Sequence, residues 1–282
     1  MRLDDPHHAH HRAAAVPAVP GNGISQVGLS PGAVGSIQVF PGAGGISRSA
    51  RLGDAWRRSP TPGSGVAAVR PTRLEHYAAI RALQREAGAP AWTLKQLESR
   101  LAAFPEGQLA VECAGEVLAT ASTLVVQWDE YALDHTWKSI TGDGFFTTHD
   151  HGGRTLFCAD FVMDSARRGL GAGRLLFQAE RRLCRRLNLR RVIAAARLPG
   201  YRRHMAAMTP EGYAKRVIWG DIAEPSLRLP LAQGFQYCGV IRGYLPEDTE
   251  SGGHAALLVW LNPLYTPGEP PANIEAERRK CA

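Results

Sequence analysis

The chain has 282 residues, 44% of them hydrophobic and 21% charged, with a formal net charge of +7 and a sequence pI near 9.4; that apolar share supports one large cored domain or two small ones. Its five cysteines are odd in number, scattered and without a CxxC pair, which argues against a disulfide framework and against a cysteine zinc site. No apolar run approaches the roughly 20 residues of a membrane span, and the N-terminus lacks the apolar centre of a secretory signal, so a cytoplasmic protein without a membrane partner is expected.

Residues 1–65 run through His7, His8, His10 and His11 into Pro, Gly, Ala and Ser with scattered apolar positions. They are expected to form a disordered low-complexity extension, because they bury too little surface to offset the entropy of ordering. Histidines on such a tail make a weak, unselective site, and no metal cofactor is expected.

A single domain is expected over residues 66–262. Val66–Val69 is β-prone, Leu74–Ala87 sets Tyr77, Ile80, Leu83 and Ala87 at helical spacing, and Thr93–Ala103 reads as a second helix capped by Thr93. Leu109–Cys113 and Val117–Val126 flank Ala-Gly-Glu and read as an antiparallel hairpin. Residues 127–153 are aromatic, charged and Gly-rich without a period, which reads as a long excursion serving a site rather than as core. Leu156–Met163, interrupted only by Asp160, reads as a buried central strand.

Ala172, Leu175, Leu176, Ala179, Leu183 and Leu187 then form one stripe of a helix, with Arg174, Arg181 and Arg185 opposite. Val192–Ala196 reads as another buried strand. Thr209-Pro-Glu opens a helix, Pro225–Gln233 makes one more that Gly234 stops, and Gln236–Gly243 and Ala255–Trp260 supply the last strands. The tail, residues 263–282, is Pro-rich and charged and is expected to be flexible.

Between the central strand and the amphipathic helix stands Asp164-Ser-Ala-Arg-Arg-Gly-Leu-Gly-Ala-Gly-Arg174. Glycines at a helix start let consecutive N–H groups point outward and meet phosphate oxygens, and the helix dipole and arginines add positive potential. A P-loop would need Gly-Lys-Ser/Thr. A dinucleotide fingerprint starting at Gly169 would need a third glycine where Arg174 stands and an acidic residue where Arg190 and Arg191 stand. Both readings fail.

The Arg168-Gly-Leu-Gly-Ala-Gly173 loop resembles the Arg/Gln-x-x-Gly-x-Gly/Ala loop of the GNAT acetyltransferases, and the succession of elements over residues 66–262 is similar to theirs. Trp128-Asp-Glu-Tyr131, His135-Thr-Trp137, Ile140-Thr-Gly142 and Arg185–Arg191 resemble the acetyltransferase half of bacterial proteins in which a GNAT domain precedes a carbon–nitrogen hydrolase; the hydrolase half is expected to be missing. The resemblance implies an α/β (α+β) GNAT fold: a mixed, mostly antiparallel sheet of six to seven strands, flanked by helices and splayed at its central strands. It also implies transfer of an acetyl group from acetyl-CoA to a small-molecule or peptide amine, with a homodimer compatible with it.

In that likeness the backbone of Phe161, Val162 and Met163 pairs with the pantetheine arm, while Arg168, Gly169, Leu170, Gly171, Ala172, Gly173 and Arg174 hold the pyrophosphate. Bulky residues at Gly171 and Gly173 are expected to remove binding and spare the fold. Many relatives carry a tyrosine, the usual thiolate acid, in the helix before the Gly-Phe pair, five residues ahead of its phenylalanine; here Pro230 occupies that place. Tyr201 and His204 are candidate replacements or else loop-surface residues, and Asp160 is a candidate base or else a carboxylate paired with an arginine.

His135, Asp129 and Glu130 are candidate substrate contacts, and His149-Asp-His151 offers too few ligands for a metal. Two rivals remain. One is an inactive, GNAT-shaped acyl-CoA-binding module. The other is a nucleic-acid binder using the twelve arginines from Arg167 to Arg203, weighed down by the scarcity of interleaved aromatics.

Overall fold

The computed structural model describes residues 65–89, 91–131, 134–167 and 170–271. The extension expected over residues 1–65 therefore lies outside the described residues except at Gly65, as does the end of the expected tail. Within them, β1 (Ala68–Pro71), α1 (Tyr77–Glu86) and α2 (Leu94–Ala103) come first. Thr93 caps α2 as its chemistry requires: its Oγ1 accepts from the Gln96 N–H at 3.2 Å, and the Gln96 Oε1 accepts the Thr93 N–H at 2.8 Å.

β2 (Gln108–Cys113) and β3 (Glu116–Val126) form the expected hairpin, turned by Ala114 and Gly115 at φ of 51° and 83°. Next come α3 (Trp137–Thr141), β4 (Thr155–Met163), α4 (Ala172–Arg186), β5 (Arg191–Arg197), α5 (Pro210–Trp219), α6 (Pro225–Ala232), β6 (Gln236–Ile241) and β7 (Ala255–Leu261). The seven strands make one sheet in the order β1-β2-β3-β4-β5-β7-β6. Every neighbouring pair is antiparallel except β4 with β5. No helix among the described residues is long and apolar enough to cross a membrane.

Two cores cover the two faces. On one, Phe177, Leu183 and Cys184 of α4 pack with Tyr213, Ala214 and Val217 of α5 and Leu227 of α6 over Leu156, Cys158 and Val192. On the other, Trp128, Trp137, Ile140 and Phe146 pack over Leu124, Phe157 and Ile193. This second core corrects the expectation for residues 127–153. A short helix and tight turns feed single aromatic side chains onto the sheet, so the burial is real although no repeat announces it.

The phase of β4 changes in mid-strand. Cys158 lies opposite Thr123 and Asp160 opposite Ser122, so Ala159 is an extra residue, a bulge. Adjacent positions on β3 face opposite sides. Cys158 and Asp160 therefore face opposite sides too, although two residues apart: Cys158 looks to α4 and Asp160 to α2. There Arg100, fully buried on α2, donates Nη1–H to the Asp160 Oδ2 at 2.7 Å and Nε–H to the Gly144 carbonyl at 2.7 Å. Its guanidinium lies 3.9 Å from the Trp92 ring centre and 4.4 Å from that of Phe146.

Removing one member of a buried ion pair strands the other charge, which costs about 3–5 kcal/mol, whereas replacing both by apolar groups is close to neutral. We expect Arg100→Met to destabilise the protein by that amount in urea unfolding, and the double variant Arg100→Met/Asp160→Leu to recover more than half of it. A single variant within about 1 kcal/mol of wild type would mean the pair does not hold α2 on the sheet.

Candidate active site

β4 is paired with β3 as far as Met163 but with β5 only from Thr155 to Cys158, opposite Arg191 to Ala194. β5 itself stays paired with β7 as far as Arg197. The two parallel strands thus part beyond Cys158 and Ala194, leaving a fork whose β4 side runs along Asp160, Phe161, Val162 and Met163 and whose β5 side is built from Ala195 and Ala196. Arg197 ends that second prong: its guanidinium grips Asp248 through two bonds of 2.7 Å and donates to the Gly88 carbonyl at 2.9 Å, beyond the end of α1.

At the open end of the fork the chain turns into α4. Gly171 is its N-cap in the left-handed region at φ 72°, exposed, without a side-chain cap, and a Cβ placed there would meet nothing within 4 Å. The first-turn N–H groups of Ala172, Gly173 and Arg174 have no acceptor earlier in the helix. Arg168 and Gly169 lie outside the described residues, and Leu170 is exposed just ahead of the turn. Gly173 serves another purpose: a Cβ there would stand 2.5 Å from the Met163 Sδ and 2.6 Å from the Leu229 Cδ2. A bulky residue at Gly173 therefore makes the Met163 and Leu229 side chains shift where α4, β4 and α6 meet, whereas one at Gly171 does not.

Burial pushes the Asp160 carboxyl above its ordinary range, while the charge and hydrogen bond of Arg100 and the Trp92 indole pull it back. The Trp137 indole donates to the carbonyl of the bulge residue Ala159 at 3.1 Å. Tyr244, unforeseen in the sequence, is buried on this face with a hydroxyl that has no hydrogen-bond partner among the described residues. Burial, helped by Asp160 and Cys158, pushes its pKa well above the usual value.

Tyr201 is not a surface residue. It is buried in the α4–α5 core and its hydroxyl donates to the Met208 carbonyl at 3.0 Å. His204 is partly buried with its ring 5.4 Å from that of Tyr213. Asp160 sits with Arg100 on the other face, so the three expected acid–base candidates are not brought together. His135 is buried against Trp128 and Tyr244, Asp129 is exposed near Arg191, and His149 is stacked on Phe104. Among the described residues no group of three or more His, Cys, Asp or Glu side chains could hold a metal.

The other surprise is Glu180 on α4. It is 0% exposed, and its carboxylate faces the Cys158 thiol, a weak donor that leaves both oxygens poorly satisfied. Burial pushes its pKa up to about 7, with the Cys158 thiol and Arg181 pulling the other way. A legible signal existed: Glu180 falls inside the apolar stripe between Leu176 and Leu183.

The two glycines of the turn should separate in a melting experiment. Gly173→Val is expected to cost about 1–3 kcal/mol through overpacking against Met163 and Leu229. Gly171→Asn should stay within about 1 kcal/mol of wild type, because asparagine tolerates the left-handed region and nothing lies in its way. Equal losses at both sites would contradict the assignment of Gly173 to packing and Gly171 to an open surface.

No protein-family model matches the chain. Over 180 residues it is 36% identical to the probable hydrolase YhcX of Bacillus subtilis (strain 168), covering 64% of this chain and 35% of that protein. Over 174 residues it is 30% identical to YkwB, an uncharacterized N-acetyltransferase of the same organism, covering 62% of this chain and 76% of that one. The chain thus spans about a third of the first relative and about three quarters of the second. Two solved structures share the fold. The GNAT-like decarboxylase GphF in complex with isobutyryl-CoA is 22% identical, with TM-score 0.60 over 69% of this chain and 98% of that one. The loading GNATL domain of CurA from Lyngbya majuscula is 16% identical, with TM-score 0.61 over 69% and 97%. With a relative 30% identical across most of an N-acetyltransferase, and a seven-stranded sheet forked between β4 and β5, this chain belongs to the GNAT N-acetyltransferase family.

Proposed function

We propose that the chain is an N-acyltransferase that moves an acetyl group from acetyl-CoA to a small-molecule or peptide amine. The observation that carries this reading is the meeting of two features at one place: a β4 backbone edge left open beyond Cys158, and an uncapped helix start opening on exposed Gly171. Bound acyl-CoA supplies a diphosphate, an extended amide-bearing arm and an activated thioester carbonyl.

The N–H groups of Ala172, Gly173 and Arg174, with the helix dipole, would hold the diphosphate, and Arg168, Gly169 and Leu170, which precede them in the sequence, would add to that binding. The backbone of Phe161, Val162 and Met163 would pair with the arm as an added strand. Across the fork, the small side chains of Ala195 and Ala196 leave room for it. The relatives support the chemistry: one is named an N-acetyltransferase, and GphF is bound to an acyl-CoA. On the α2–α3 face, Asp160 and Tyr244 are the polar groups that an incoming amine would meet among aromatic side chains. Tyr201 and His204, at the end of β5, are set for supporting the walls of the site.

A second reading, an acyl-CoA-binding module without transfer, is favoured by one observation. Pro230, which cannot act as an acid, stands inside α6, and the hydroxyl of Tyr201 is already engaged. Calorimetric titration of acetyl-CoA into the full chain, beside Gly171→Asn, separates the possibilities. Binding that weakens at least roughly tenfold, about 1.4 kcal/mol, in the variant supports the cradle. Free thiol released on adding amines from a panel then supports transfer, and binding without any release supports the module. No binding to folded wild type overturns both.

A further inference from the structure

The outward face of α4 carries more charge than its packing uses. Five arginines, Arg174, Arg181, Arg182, Arg185 and Arg186, stand among its fifteen residues, and its one acid, Glu180, is fully buried. Arg190 follows just ahead of β5. All but the half-buried Arg181 are exposed, and none of the six takes part in an ion pair among the described residues. Arg181 with Arg185, and Arg182 with Arg186, are like charges four positions apart, an arrangement that weakens a helix unless a counter-charge offsets it. The crowding is felt at Arg181, whose guanidinium is held below its ordinary range by burial first and then by the charges of Arg185 and Arg174, with Glu180 pulling the other way.

The composition of the face selects its partner. Protein interfaces are built around apolar or aromatic anchors, and no large hydrophobic side chain of α4 is exposed. The aromatic beneath the face, Trp260, is buried and seats the charges instead. The Arg181 and Arg185 guanidiniums lie 5.8 Å and 5.4 Å from its ring centre, and Arg181 donates to the Gln233 carbonyl at 2.5 Å. Single-stranded nucleic acid needs exposed aromatic platforms for its bases. An RNA duplex offers 2′-hydroxyls that donate as well as accept, and guanidiniums have no acceptor to meet them. The backbone of a DNA duplex asks only for cations set along its phosphates. Arg182 and Arg186 stand about 6 Å apart along the helix axis, in step with such a row.

We infer that the face formed by Arg182, Arg185, Arg186 and Arg190 docks on the phosphate backbone of duplex DNA without reading its sequence. Each guanidinium presents two parallel N–H groups to a phosphate. The scarcity of aromatics that counts against a single-strand binder does not count against a duplex. The face begins roughly 15 Å along α4 from Ala172, so a duplex seated there does not need the start of the helix. Docking of this kind is independent of acyl transfer.

The test is fluorescence anisotropy of a short labelled DNA duplex titrated with the full chain between about 50 and 200 mM salt, beside the triple variant Arg182→Gln/Arg185→Gln/Arg186→Gln and the matching triple lysine variant, with melting curves establishing that all three proteins are folded. Wild type is expected to bind at the lower salt and to weaken steeply as salt rises. The glutamine variant is expected to bind at least roughly tenfold more weakly, and its slope of log affinity against log salt to be flatter by about 3, near 0.9 for each phosphate released. The lysine variant, which keeps the charge, is expected to retain the slope. No binding of wild type at the lower salt, or an unchanged slope in the glutamine variant, overturns the proposal. Tighter binding to a duplex of RNA or to polyglutamate than to DNA overturns it as well, in favour of an RNA or an acidic protein partner.

Discussion

One extra residue, Ala159, sets the arrangement on which the rest depends. A regular strand would carry Cys158 and Asp160 on one face, and a carboxylate would then enter the core beneath α4. The bulge inverts the phase, so Asp160 meets Arg100 of α2 while Cys158 and Phe161 remain beneath α4, Phe161 stacked 4.5 Å from Phe177. The Ala159 carbonyl is taken by the Trp137 indole, which ties the excursion between β3 and β4 to the same point. The parallel pairing of β4 and β5 stops there as well, one residue before the bulge. A bent, more strongly twisted strand cannot follow a straight neighbour, so bulge and fork are two aspects of one distortion.

Two carboxyl groups flank this distortion, and the chain treats them differently. Asp160 is balanced by a guanidinium clamped between Trp92 and Phe146, which keeps charge and counter-charge together in a low-dielectric setting. Glu180, fully buried beside the Cys158 thiol, is instead shifted toward its neutral form, its pKa pushed up to about 7. The first solution fixes geometry, because the pair has one arrangement. The second keeps the carboxyl uncharged below neutral pH.

Much of the frame was legible in the residues. The α4 stripe, the Thr93 cap and the Ala114–Gly115 hairpin follow local rules, and the structure puts each close to where those rules place it. What escaped is what local rules do not encode. Arg100 and Asp160 pair across sixty positions. The bulge reverses a face without changing composition, since a strand of uniformly apolar residues carries no phase to read. Trp128, Trp137 and Phe146 reach the core singly, from a five-residue helix and the turns on either side of it, too short to show a period. Glu180 differs, because its place on the apolar stripe was readable and only its isolation required the fold.

The first turn of α4 has to satisfy two demands that conflict in most sequences. It must approach β4 and α6 closely enough for the helix to cover the fork, and it must leave its amides uncovered at the other side. A side chain at the second helical position would press on the Met163 and Leu229 side chains, and one at the cap would have to adopt the left-handed backbone that Gly171 takes at φ 72°. Glycine at both positions resolves the conflict, at the expense of backbone entropy on folding. That cost is offset by the long apolar stripe from Leu176 to Leu187 behind it, which supplies most of the helix's anchorage. A helix whose stability comes from its far end tolerates an unfinished beginning, and under the proposed function that beginning is the surface that would meet the diphosphate.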